Sequence, residues 1–249
     1  MLARLRIELD TKEINYRQSS IMQGILFDKI DKDYAQTLHS QSMHPYSQYV
    51  LAGETRTTWI IHTLNKQAYQ EIILPLMEPG FDRIHLNKKD KEFQIVSKNV
   101  ETKEKRSLLT RFYEEEESGL FIVKFIAATA FKTRGMYYIL PDVRLIFQNL
   151  MQKYTASSEQ VDMMDEDTLE DIADHTIISR HNIRSVLFPI EGVKIPGFIG
   201  EVGIKVNAGE TLRRYIRLLL EFGEYSGIGI KTAMGMGAFA LKTEENHRG

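Results

Sequence analysis

A chain of 249 residues, 43% hydrophobic and 27% charged, is long enough for one large soluble domain or for two of about 120 residues. It has no cysteine, which excludes a disulfide framework and any thiolate metal site. Its net charge of −2 excludes a global pull toward nucleic acid, and no window approaches the ~20 apolar residues of a membrane span.

The N-terminus, MLARLRIELD, alternates apolar and polar residues, so Leu5–Leu9 reads as a half-buried strand and not as a signal peptide. Ser19 or Ser20 can cap a helix to about Ile30, with Ile21, Ile25, Leu26 and Ile30 at helical spacing. Residues 31–56 are polar and read as irregular; they hold His39 and His44 beside Tyr34, Tyr46 and Tyr49. Thr57–Leu64 is rich in β-formers, a helix is expected from Lys66 to Leu74 or Met77, and Pro79-Gly80 stops it. Ile84–Leu86 and Glu92–Val100 read as closing strands. The pattern suggests a ferredoxin-like βαββαβ unit with one strand unplaced.

The acidic run Glu114–Glu117 followed by Ser118-Gly119 marks a domain boundary, after which the pattern restarts. Leu120–Phe131 reads as a strand, and Asp142–Tyr154 as a helix introduced by Pro141. Residues 155–180 read as an acidic excursion or helical insert, and Val186–Pro189 and Glu201–Val206 as strands. Glu210–Phe222 forms an amphipathic helix with Leu212, Ile216, Leu219 and Leu220 on one face and Arg213, Arg214 and Arg217 on the other. A last strand runs from Ala238 to Lys242. The fold class is therefore α+β, two tandem ferredoxin-like (RRM-like) domains over 1–116 and 120–242, with a frayed tail at 243–249.

Five of the sixteen glycines fall between Gly223 and Gly237, in GEYSGIGIKTAMGMG. Such a loop can press against a phosphate or another backbone, since glycine permits φ > 0 and uncovers N–H groups. A dinucleotide fingerprint is excluded because a helix precedes the glycines and a strand follows them. A P-loop is excluded because Gly229-Ile230-Lys231-Thr232 lacks the Gly-Lys step. Tight packing alone remains the plain alternative. Of the seven histidines, His39 and His44 stand out, five residues apart in a polar segment; no metal-ligand spacing accompanies them.

Together these features resemble the CRISPR-associated endoribonucleases that cut repeat RNA to make guide RNAs, members of the RAMP superfamily. Gly227-Ile228-Gly229, the spacer Ile230–Met234 and Gly235-Met236-Gly237 fit that family's C-terminal glycine signature. Upstream, Gly24-Ile25-Leu26-Phe27, Leu38-His39 and Tyr46-Ser47 fit more loosely. The resemblance implies a metal-independent, cofactor-free endoribonuclease with His39 at the catalytic histidine position and His44 assisting. Some family members place a tyrosine where this chain has Phe27 and a lysine near His44. It implies RNA contacts at Gly227, Gly229, Lys231, Thr232, Gly235 and Gly237, with Arg213, Arg214 and Arg217 on the preceding helix. The expected partners are CRISPR repeat RNA, an effector complex and a second copy of the chain, in the cytoplasm and away from membranes. The rival expectation is a non-catalytic RAMP subunit that holds guide RNA.

Overall fold

The structure, a computed structural model, describes residues 1–86, 90–114, 117–158, 161–190 and 192–242, with the side chains of Arg111 and Glu114 excepted. The expected tail at 243–249, His247 within it, and Glu115–Glu116 of the acidic run lie outside the described residues.

Strict alternation makes β1 (Leu2–Leu9) a central strand. Leu5, Ile7 and Leu9 are fully buried on one face, leaving Arg4, Arg6 and Glu8 on the other. After a turn at Tyr16–Gln18 come α1 (Ser19–Lys29) and α2 (Lys32–Ser40). Met22 and Leu26 bury one stripe of α1. The Asp31 side chain caps α2 by accepting from the backbone N–H groups of Asp33 and Tyr34, and α2 buries only Tyr34 and Leu38. β2 (Tyr46–Ala52) and β3 (Thr57–Thr63) form a hairpin. A continuous helical stretch follows: α3 (Lys66–Ala68), a π-helical turn (Tyr69–Ile73) and α4 (Leu74–Met77). Pro75 is the second residue of α4, directly after the π-helical turn. β4 (Arg83–Leu86) and β5 (Lys91–Lys103) complete a sheet of order β2-β3-β1-β5-β4. This is the ferredoxin-like order with β4 added at one edge.

α5 (Lys105–Glu114) leads into the second half and packs against the helix that ends it. β6 (Leu120–Thr129) is followed by the small hairpin β7 (Phe131–Thr133) and β8 (Met136–Tyr138). Next come α6 (Val143–Ala156) and α7 (Glu166–His175). Two long strands, β9 (Thr176–Ile190) and β10 (Val193–Val206), precede α8 (Glu210–Ser226) and β11 (Phe239–Lys242). The order β11-β6-β10-β9 repeats the ferredoxin-like arrangement, and all its pairings are antiparallel. The two sheets meet where Tyr49 and Ile60 pack on Ala127 and Ala238.

Two expectations are corrected and one alternative is decided. Residues 31–56 are not irregular: they hold α2 and β2, and β2 is the unplaced strand. Of the two readings of 155–180, the helical one holds for α7, whose apolar face buries Leu169 and Ile172. β9 and β10 extend well beyond the short strands read at Val186–Pro189 and Glu201–Val206.

Candidate functional site

His39 sits in the last turn of α2 with its side chain exposed, and its ring stacks on Phe27 of α1. The ring centroids are 4.6 Å apart and the planes are inclined by 15°. Phe27 therefore orients the imidazole by its face and leaves both ring nitrogens free of that contact. His44 lies in the five-residue connection from α2 to β2, half-buried beside Tyr46. Burial lowers its pKa first, and the positive charges that His39 and Lys231 can carry lower it further. Those two charges come from different parts of the chain, His39 from the N-terminal helices and Lys231 from the C-terminal loop.

Lys231 is the exposed residue of the glycine loop, in the left-handed conformation with φ 57°. The rest of the loop is packed inward. Ile228 enters the core of the second half, Ala233 the core of the first, and Met236 a smaller cluster with Phe188 and Ile195. Gly227, Gly229, Gly235 and Gly237 are all buried. A Cβ on Gly229 would lie 2.3 Å from the Ala130 carbonyl oxygen, so glycine there serves a close backbone approach. Thr232 is buried too, its hydroxyl accepting from Lys153 Nζ at 3.3 Å.

The three arginines of α8 occupy a different place. Arg214 pairs with Glu210, and Arg217 with Glu117. The Arg213 side chain packs on Gly119. At 1.5 Å per residue, Arg213–Arg217 stand roughly 15–21 Å along the helix from the loop. Arg213 and Arg217 bind α8 to the segment after α5, while Arg214 pairs within α8.

Sequence reading missed the polar pins that hold this site, most of them on β2. Tyr46 accepts from Gln23 Nε2 of α1 at 2.8 Å. Gln48 Nε2 donates to the Ser19 carbonyl at 2.7 Å and to the Ala233 carbonyl at 3.1 Å, while its Oε1 accepts from the Trp59 indole at 2.7 Å. Ser47 donates to the Tyr225 carbonyl at 2.6 Å. Behind it lies His62, which is buried. Arg4 Nε donates to His62 Nε2 at 3.0 Å. A guanidinium is a donor only, so Nε2 is unprotonated and Nδ1 carries the proton toward Ser47 Oγ, 3.3 Å away. Burial, then Arg4 and Arg6, hold the His62 pKa well below the usual histidine range.

The other missed group is Lys153 of α6, a buried lysine that falls seven residues after the buried Ile146, on the helix's apolar face. That placement was the available signal. Burial pushes its ammonium down to about 7. Among the described residues, no three His, Asp or Glu side chains are grouped to hold a metal ion. No helix among them is long and apolar enough to cross a membrane.

Residues 123–239 match the family described as CRISPR-associated endoribonuclease Cas6. The chain is 34% identical over 223 residues to a CRISPR-associated endoribonuclease Cas6 of Streptococcus thermophilus, covering 90% of each chain. It is 35% identical over 242 residues to that of Mycobacterium tuberculosis, covering 96% of this chain and 77% of the relative. In three dimensions it is similar to a Cas6 product complex, with a TM-score of 0.81 at 21% identity over 97% of this chain and 99% of the other. With a relative so similar over nine-tenths of both sequences, and with the fold shared, the chain belongs to the Cas6 family of CRISPR-associated endoribonucleases.

Proposed function

We propose that this protein cleaves CRISPR repeat RNA in the precursor transcript without a metal ion, by attack of the ribose 2′-hydroxyl on the adjacent phosphate. His39 takes the 2′-hydroxyl proton as general base. An imidazole suits that task at neutral pH. The oxygen–phosphorus bond to the leaving nucleoside breaks as the new one forms. The leaving 5′-oxygen takes a proton from water to become the 5′-hydroxyl, and the other product is a 2′,3′-cyclic phosphate, or a 3′-phosphate once water has opened that ring. Of the two groups that could meet the phosphorane's charge, Lys231 is the better cation, since burial and its neighbours disfavour the charged form of His44. His44 assists as a neutral imidazole, donating a hydrogen bond at the leaving oxygen.

The observation that carries this reading is that His39, from α2, and Lys231, from the glycine loop, both act electrostatically on His44. RNA contact at the loop falls mainly on Lys231, its exposed residue, with the buried glycines shaping its support. Arg213, Arg214 and Arg217 contribute to RNA binding only by exchanging their present partners for phosphates. Residues 1–116 and 120–242 serve as the two domains that the RNA spans. The setting is the cytoplasm, and the guide RNA passes to an effector complex, with self-association of the chain as a further property.

The test is cleavage of labelled repeat RNA in EDTA, beside the same RNA carrying a 2′-deoxy sugar at the cut site. Only the first should be cut. His39→Ala should lose about 10²- to 10⁴-fold in rate while still binding RNA. Wild-type cleavage by that variant would remove His39 from the mechanism.

A further inference from the structure

Lys153 is an unusual residue to bury. Its Nζ donates to the Gly227 carbonyl at 2.9 Å, to the Ser226 carbonyl at 3.3 Å and to Thr232 Oγ1 at 3.3 Å. Three acceptors use all three donors of the ammonium, and all three are neutral. No carboxylate among the described residues lies within ion-pair distance of it. A methionine would fill the same space without desolvating a charge, so stability alone is a poor reason for a lysine here.

The three acceptors say what the charge does. Ser226 and Gly227 stand where α8 gives way to the loop, and Thr232 stands on the far side of Lys231. One side chain therefore ties both arms of the turn that displays Lys231. One helical turn earlier on the same face of α6, Asn149 Oδ1 accepts from the Gly229 N–H at 2.8 Å. The loop's own bonds complete the mould: Ile230 N–H to the Ala130 carbonyl at 3.0 Å, and Met234 and Met236 N–H to the Lys231 carbonyl at 2.9 and 3.2 Å. With the backbone held on both sides of it, Lys231 has only its side chain free to move. Lys153 also lines, with His44, Met43 and Pro45, a small cavity behind the α2–β2 connection.

We propose that Lys153, seconded by Asn149, is a positioning residue for RNA cleavage: it fixes the glycine loop so that the Lys231 ammonium is presented beside His44 to the phosphate being cut. This rests on the reading that Lys231 meets the phosphorane. Lys153 itself touches no substrate; it acts through Lys231. It contributes to the rate constant of the bound complex more than to RNA affinity, because a displaced but still exposed Lys231 keeps its long-range attraction for the strand.

The experiment is single-turnover cleavage of repeat RNA by Lys153→Met, Lys231→Ala, the double variant and His39→Ala, with RNA affinity measured separately for each. Removing a preorganised cation from a developing anion slows the step by about 10²-fold. Lys153→Met should slow cleavage by roughly 10-fold or more with less than ~3-fold change in affinity, and the double variant should be no slower than Lys231→Ala alone. Rate reductions that multiply in the double variant, or a wild-type rate for Lys153→Met, would overturn the proposal. If His39→Ala is inactive and Lys153→Met is not, only the positioning role fails; if His39→Ala is fully active, the catalytic reading fails first. Should Lys153→Met not yield folded protein, Asn149→Ala removes only the bond to Gly229 N–H and is read by the same cycle with Lys231→Ala.

Discussion

A pair of identical substitutions at two glycines should have opposite effects. Gly237 has φ +74°, and a Cβ there would lie 2.1 Å from the Ile228 carbonyl oxygen and 2.8 Å from Thr232 Cγ2. An L-residue in the left-handed region loses about 1–2 kcal/mol. Relief of the clash moves the Ile228 backbone, whose N–H donates to the Gly237 carbonyl at 2.8 Å. Loss of that bond adds about 1 kcal/mol. Gly237→Ala should therefore destabilise the protein by roughly 3 kcal/mol, and at ~2–4 °C per kcal/mol for a chain of this size lower Tm by about 6–12 °C. Gly24 stands exposed inside α1 with nothing within 4 Å of its built Cβ. Gly24→Ala should gain up to ~1 kcal/mol of helix propensity and raise Tm by a few degrees. Thermal unfolding followed by circular dichroism reads both. A Tm for Gly237→Ala within about 2 °C of wild type would refute the claim that the loop is a packed keystone.

Acid should unfold the protein partly through His62. Its folded pKa is depressed, so below about 6.5 the unfolded chain takes up a proton that the folded one refuses, and stability falls by up to ~1.4 kcal/mol per pH unit from this group. Urea midpoints between pH 5 and 8 should show a shallower acid loss in His62→Gln than in wild type; parallel curves would refute it. Gln48→Leu leaves the Trp59 indole N–H and the Ala233 carbonyl without their side-chain partner in the core, and should cost about 2–4 kcal/mol in chemical unfolding. A destabilisation under about 1 kcal/mol would show that these bonds are readily replaced. Lys231→Ala should weaken RNA binding and lower the slope of log affinity against log salt by about 1, because one phosphate fewer is neutralised by the protein; an unchanged slope would remove Lys231 from the interface.

The doubled ferredoxin-like pattern was legible because most of its elements carry a clean period. Leu5, Ile7 and Leu9 alternate, and Ile216, Leu219 and Leu220 recur at helical spacing, each set burying one face. β2 lacked that signature for a physical reason. Tyr46, Ser47, Gln48, Tyr49 and Val50 are all buried, because both faces of the strand are covered and the polar side chains bond to the covering elements. A strand enclosed on both sides loses its alternation. α2 was hidden by its polarity, although Asp31 as a cap and Tyr34 with Leu38 four residues apart were available signals. The glycine loop was legible as a landmark, but its glycines alone do not say which way they face. The close approach of Gly229 to Ala130, the residue between β6 and β7, shows that they are used for packing.

The two histidines are held in unequal ways. His44 precedes β2, whose first three residues are each bonded to a different part of the chain: Tyr46 to α1, Ser47 to the end of α8, and Gln48 to the loop and the start of α1. That end of the connection is fixed. His39 ends a nine-residue helix with two buried residues, a weak anchor for a group whose placement matters to within fractions of an ångström. The stack on Phe27 supplies the missing constraint, and it is sited one turn after the buried Met22–Leu26 stripe begins to hold α1. A phenylalanine, having no proton to exchange, can thus serve this site by geometry alone. In the mechanism proposed above, the chemistry rests on the imidazoles and Lys231, and the aromatic ring would set the angle at which His39 meets the strand.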